Sequence, residues 1–315
     1  MSHNIVDIIY EQARLRPASP AIISNERIIT FRQLIAAVGI AAHHLRRHGV
    51  LPNQVVGVSM GQNALHVITM LALAQLGAVS LPLHMAVPAD RRALAARRFG
   101  AGCVVSGHSS MILSGVPFIS FAGLSFDGVS VTPDHDIFEV SPDSPFRIAI
   151  SSGTSGDPKG MILTHGLMAL RIAEADYGVT PSSRTLPMDL NFIVGFRPAL
   201  SALAKGSALV IPAAKSDVSL LHTLVSHAVS HVYMSPLQAG RLVEPLNSDG
   251  IRCSDLVCLR IGGGPLPLET LQKVRDKITP NIFVSYGSTE SGLVSYATPE
   301  ILEQHPSCVG RVCPW

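Results

Sequence analysis

The chain has 315 residues, 47% of them hydrophobic and 15% charged, a balance that argues against a disordered chain and for a core-rich folded protein. Its formal net charge is +2 with no long run of one sign, which argues against nucleic acid or an anionic membrane surface as partner. Cys103, Cys253, Cys258, Cys308 and Cys313 form no CxxC pair and the start is not leader-like, so reduced thiols in a cytoplasmic protein are expected.

The opening MSHNIVDIIYEQARLRP is polar and helix-forming. Thr30 then starts TFRQ, where the threonine can cap a helix while Gln33 reaches back to it. Leu34, Val38 and Leu45 recur at helical spacing, and Gly49 stands where a left-handed residue ends the helix. QVVGVSM at 54–60 reads as a strand, 64–76 as a helix and 78–83 as another strand. Gln62, Asn63, His66, Gln75 and Pro82 interrupt this greasy region, which therefore lacks the about 18 uninterrupted apolar residues of a membrane span. The polar, proline-bearing segment 132–145 is the expected linker between α/β subdomains of about 1–140 and 145–315.

FRIAI at 146–150 is a strand, and SSGTSGDPKG at 151–160 follows it directly. Gly153, Gly156 and Gly160 let backbone amides converge on an anion, the hydroxyls of Ser151, Ser152, Thr154 and Ser155 add donors, and Lys159 adds a mobile cation. Polyphosphate suits such a concavity better than an ordinary turn does. A phosphotransferase P-loop would need a helix after the lysine, whereas MILTH at 161–165 continues as a strand. His165 reads as part of the turn that follows. Further on, strands at 207–212, 231–235 and 255–264 alternate with helices at 218–229 and 268–278. Continuous apolar strands separated by helices give the fold class α/β, with parallel sheets layered with helices. The strand at 255–264 ends in GGGPLP, and another at 281–284 runs into SYGSTES at 285–291. Three glycine- or hydroxyl-rich segments at the carboxyl ends of strands are what ligand binding in an α/β sheet requires.

SSGTSGDPKG with MILTH, then GGGPLP, then YGSTE, in this order and at these separations, resembles the adenylate-forming (AMP-binding) superfamily: acyl- and aryl-CoA ligases, luciferases and peptide-synthetase adenylation domains. TFRQL, LPNQVVGVSM and LALAQLGAVSLPL extend the resemblance over nearly the whole chain. It implies the superfamily's N-terminal domain and an enzyme, a ligase that uses ATP and Mg²⁺ to turn a small carboxylic acid into an acyl-adenylate. A thiol, coenzyme A or a carrier protein, then takes the acyl group. It also implies that Thr154, Ser155, Gly156 and Lys159 cradle the β- and γ-phosphates, within a loop that includes Ser151, Ser152 and Gly153. Tyr286 is implied against adenine, Thr289 at the α-phosphate beside Gly287 and Ser288, and Glu290 with Thr154 at the metal. Gly263, Gly264 and Pro265 are implied to line the adenine and acyl pockets, and Thr154, Lys159 and Glu290 carry catalysis.

The sequence ends at GRVCPW, where a GRP-type segment begins in the superfamily, so the mobile C-terminal lid with its lysine is expected to be missing and the domain incomplete and impaired alone. In LPMDLNFIVGF at 186–196, Asp189, Asn191 and Phe192, with Gly264, form the candidate substrate pocket. Asp189 resembles the FDxS aspartate that binds a substrate ammonium in amino-acid-activating domains, and it equally suits capping the helix that follows. The expected function is an acid–CoA ligase, the alternatives being an amino-acid adenylation domain and a non-catalytic nucleotide-binding module.

Overall fold

The computed structural model describes residues 3–24, 27–124, 126, 136–151, 159–174, 178–212, 217–244, 246 and 251–313. The chain forms two compact units. The first holds Met1–Ile22, Ile28–Glu174 and Leu190–Ile193; the second holds Ile23–Arg27, Ala175–Asp189 and Val194–Trp315.

In chain order the first stretch brings α1 (Val6–Leu15), β1 (Pro20–Ser24), β2 (Arg27–Thr30), α2 (Phe31–Arg47), β3 (Val55–Val58), α3 (Ala64–Gln75), β4 (Val79–Pro82), α4 (Ala89–Arg98), β5 (Cys103–Ser106) and β6 (Phe118–Ser120). β7 (Pro145–Ser151), β8 (Lys159–Thr164) and α5 (His165–Glu174) complete it. The capping box forms: the Gln33 amide donates to Thr30 Oγ1 at 3.3 Å and the Thr30 amide to Gln33 Oε1 at 2.9 Å. Gly49 ends α2 with φ +82°, as its position predicts. The greasy passage is β3, α3 and β4, and every residue of β4 is buried, so both faces of that strand are covered. Among the described residues no helix is long and apolar enough to cross a membrane.

The sheet of this unit runs β6-β5-β3-β4-β7-β8. Its pairings are parallel from β6 to β7, and only β8 is antiparallel. Because β7 pairs with β4, through Ser80 and Arg147, the strand pair around the glycine- and hydroxyl-rich loop completes the N-terminal sheet. The expected linker at 132–145 precedes that pair.

The second unit adds β9 (Arg184–Leu186), α6 (Ile193–Ala204), β10 (Ala208–Val210), α7 (Asp217–Ser226), β11 (His231–Met234), α8 (Pro236–Val243), β12 (Cys258–Gly262), α9 (Leu268–Lys277), β13 (Ile282–Ser288), β14 (Gly292–Ala297), α10 (Pro299–Gln304) and β15 (Arg311–Val312). Its sheet runs β15-β14-β13-β12-β11-β9-β10-β1-β2. The pairings are parallel from β10 to β13 and antiparallel at β13–β14 and β14–β15. Ile23 joins β1 to this sheet, its carbonyl accepting from the Ile211 amide at 2.9 Å. Val232, Leu259, Ile261 and Ile282 from the strands pack with Leu271 and Val274 of α9 in one buried cluster. Mostly parallel sheets layered with helices are the α/β class that the alternation of apolar runs predicts.

One expectation is corrected by pairing. The segment 285–288 was expected after a strand, yet it lies inside β13, because antiparallel β14 supplies backbone partners as far as Ser288.

Candidate functional site

β7 and β8 are antiparallel neighbours with Ser151 opposite Lys159, so residues 152–158 connect two paired strands. Ser152, Gly153, Thr154, Ser155 and Gly156 lie outside the described residues. Lys159 opens β8 with an exposed side chain. A strand after this lysine is the reverse of a P-loop, whose phosphate-binding lysine opens a helix. Gly160 serves packing: a Cβ there would sit 2.5 Å from Phe99 Cε1 and 2.9 Å from Ile148 Cγ2. It therefore has a reason to be glycine that involves no anion.

His165 starts α5 fully buried. Its Nδ1 accepts from the Ile5 amide at 3.1 Å, and its ring lies 5.2 Å from that of Phe146. Burial pushes its pKa down to about 4, so the imidazole is neutral and holds α1 against the β8–α5 corner. Burial also pushes the thiols of Cys103 and Cys258 up, to about 11 and about 12, which makes both poor nucleophiles.

In the second unit β12 ends at Gly262 beside its parallel neighbour β13, which runs on to Ser288. Gly262 pairs with Ser285, so the two stand on neighbouring strands about 5 Å apart. Each glycine here answers a different demand. A Cβ on Gly262 would collide with the side chain and carbonyl of Ser285, which fixes glycine at the crossing. Gly263 has φ +88°, a conformation that costs other residues strain. Gly264 is exposed, where a Cβ would meet nothing closer than Pro236 at 3.9 Å, and Pro265 is exposed beside it. The result is a stretch of bare backbone open to a ligand.

Alongside it, Tyr286 is 57% exposed. Gly287 occupies a bulge in the β13–β14 ladder, where a Cβ would strike the Gly292 carbonyl. Thr289 and Glu290 form the turn between these strands. The turn is braced by Ser288 and Ser291, each hydroxyl accepting the other residue's amide, at 3.2 and 3.1 Å. The Glu290 residue is exposed at the turn, where a carboxylate suits a hard cation. Exposed Gly263 and Gly264 thus follow the end of β12, exposed Tyr286 comes one residue after the Ser285 that pairs with Gly262, and Glu290 follows the end of β13.

The segment 186–196 mixes buried, half-buried and exposed residues. Asp189 is half-buried, Asn191 buried and Phe192 51% exposed, with its ring 5.6 Å from that of His84. Gly195, in the first turn of α6, leaves no room for a Cβ against the carbonyls of Met188 and Asp189. Asp189 lies four residues before α6 begins, too early for the capping position. Sequence reasoning missed Arg147, which sits in the apolar run FRIAI. Its fully buried guanidinium donates through Nη2 to the carbonyls of Leu190 and Asn191 at 3.0 and 2.9 Å.

A profile of the AMP-binding enzyme family matches residues 9–315. Nonribosomal peptide synthetase 8 of Aspergillus fumigatus is 28% identical over 96% of the chain, and gramicidin S synthase 2 of Brevibacillus brevis is 24% identical over 99%. The chain spans only 4% and 7% of those two relatives. Among solved structures, o-succinylbenzoate CoA synthetase of Bacillus subtilis, in complex with its acyl-adenylate intermediate, superposes with TM-score 0.86 at 24% identity. The match covers 98% of this chain and 64% of that one, and it establishes a common fold.

Proposed function

Because the chain belongs to the AMP-binding enzyme family, we propose that it is the nucleotide- and acid-binding part of an ATP-dependent ligase that activates a carboxylic acid as its acyl-adenylate. The observation that carries this reading is the junction where β12 ends at Gly262 beside Ser285 of β13: exposed Gly263 and Gly264 follow the first, and exposed Tyr286 and then Glu290 follow the second. In this reading adenine lies on Tyr286, whose exposed ring offers a stacking face. The backbone after Gly262 lines the adenine and acyl pockets. Lys159, with the hydroxyls and amides of 151–156, takes the β- and γ-phosphates, and Thr289 takes the α-phosphate. Glu290 and Thr154 are the residues to hold Mg²⁺, which when bound neutralises phosphate charge.

The substrate carboxylate oxygen attacks the α-phosphorus, the bond to the bridging oxygen breaks, and pyrophosphate leaves with the electron pair. Negative charge on the phosphoryl group and on the leaving pyrophosphate calls for oriented donors and cations rather than a protein nucleophile. A thiol then attacks the acyl carbon and AMP departs, giving a thioester. Coenzyme A as that thiol gives an acid–CoA ligase. A second reading, amino-acid adenylation with a carrier-protein thiol, is favoured by the half-buried Asp189, suited to a substrate ammonium, and by the peptide synthetases among the relatives.

Calorimetric titration with non-hydrolysable acyl-sulfamoyladenosines separates the two. Tight binding of aminoacyl forms, weakened by Asp189→Ala, is the result expected of amino-acid adenylation. Preference for aroyl or fatty-acyl forms, indifferent to that substitution, selects the acid–CoA ligase. Binding of neither series refutes acid activation.

A further inference from the structure

A guanidinium inside a β-strand is a costly residue to keep. Arg147 is fully buried in β7, between Phe146 and Ile148, which are buried too. A charge in such a place persists only where hydrogen bonds replace the water it has lost. Its partners are specific. Nη2 forks to two consecutive carbonyls, those of Leu190 and Asn191, at 3.0 and 2.9 Å, while Nη1 lies 3.4 Å from Met70 Sδ. Both acceptors are main-chain groups of a non-helical segment, 43 and 44 residues away along the chain. Leu190 and Asn191 are themselves buried, so without Arg147 these carbonyls would lose their charged donor in a place where water does not reach.

What this clamp holds is informative. Asn191 and Phe192 are two of the candidate substrate-pocket residues, and Phe192 is 51% exposed with its ring 5.6 Å from that of His84. The same strand that carries Arg147 ends four residues later at Ser151, about 13 Å along at the rise of a β-strand. β7 is thereby a ruler, with a substrate-facing segment hung near its start and Ser151, where the glycine- and hydroxyl-rich loop begins, at its end.

We propose that Arg147 is a positioning residue for acid recognition: its guanidinium pins the Leu190 and Asn191 carbonyls to β7 and so fixes where Asn191 and Phe192 stand relative to Ser151. The functional half of this proposal rests on the acid-activating reading above; the anchoring half does not. Lysine keeps the charge but offers a point donor in place of a planar fork, so it replaces the clamp only in part. Methionine fills similar volume without charge and leaves both carbonyls without that donor.

Hydrogen–deuterium exchange on Arg147→Met and Arg147→Lys tests the anchor. Exchange in a peptide covering 187–193 should quicken about tenfold in the methionine variant and by less in the lysine variant, with β3 to β5 unchanged. Unchanged exchange at 187–193, or equal quickening throughout the first unit, overturns the proposal. If the methionine variant does not fold, the lysine variant carries the same comparison. The functional arm uses whichever acyl-sulfamoyladenosine binds the unaltered protein. Its dissociation constant should rise about tenfold in Arg147→Met while that of Mg·ATP moves less than about twofold. Parallel losses for both ligands overturn the positioning role. An unaltered protein that binds neither ligand refutes the acid-activating reading instead, and exchange still decides the anchor.

Discussion

Two regions of this protein that carry polar groups differ in burial. Around β7, Arg147 and His165 are wholly buried and bonded to backbone, one to carbonyls and one to an amide. At the ends of β12 and β13, Gly264, Pro265, Tyr286 and Glu290 stand exposed. The first set is expensive to bury and is retained because it ties segments together. The second set costs the fold little, and under the proposed function its open backbone, aromatic face and carboxylate are there for a ligand. Substitutions in the first region should therefore move stability, Arg147 reaching acid binding only through the segment it holds, whereas those of the exposed groups in the second should move nucleotide binding and leave stability alone.

The largest effect expected is that of pH on His165. Its folded pKa of about 4 lies below the ordinary value near 6.5, so between these values the unfolded chain binds a proton that the folded chain refuses. The stabilisation is complete above about pH 6.5 and is lost as pH falls toward 4, about 3 kcal/mol in all. Urea unfolding at pH 7.5 and 4.5 should show this loss, and His165→Gln should reduce it. A pH dependence identical in the two proteins would remove His165 from the account. Next comes Gly262→Ala, whose methyl must displace Ser285, at a cost of about 2 kcal/mol in the same unfolding experiment.

Tyr286→Ala exposes the contrast from the other side. It should leave the unfolding midpoint unchanged and weaken nucleotide binding by about 1–2 kcal/mol, read by calorimetry, since only an exposed ring is lost. Gly264→Ala is the smallest change to the fold. Its Cβ meets only Pro236 at 3.9 Å, so stability should stay within about 0.5 kcal/mol while nucleotide affinity falls. Equal stability losses for Gly262→Ala and Gly264→Ala would erase the distinction between a packing glycine and a ligand-facing one.

Much of the fold was legible because its strands are apolar runs and its helices carry their own caps. Thr30 with Gln33, and Gly49, are local signals that needed no tertiary information. What stayed hidden depended on distant partners. Arg147 was absorbed into FRIAI because nothing in that run reveals carbonyl acceptors at Leu190 and Asn191. β13 ran further than its apolar residues predict because β14 extends it through backbone pairing. The three motifs were visible as clusters of glycine and hydroxyl residues, but composition could not tell Gly160 and Gly262, which make room for neighbours, from Gly264, where a Cβ would meet nothing closer than Pro236 at 3.9 Å.

The central claim is that exposed groups at strand ends hold ATP. Calorimetric titration of Mg·ATP into the unaltered protein, Lys159→Ala and Tyr286→Ala, each checked for an unchanged unfolding midpoint, tests it most directly. Binding that weakens about tenfold in each variant is the expected result. No binding to the unaltered protein, or affinity indifferent to both substitutions, would contradict it.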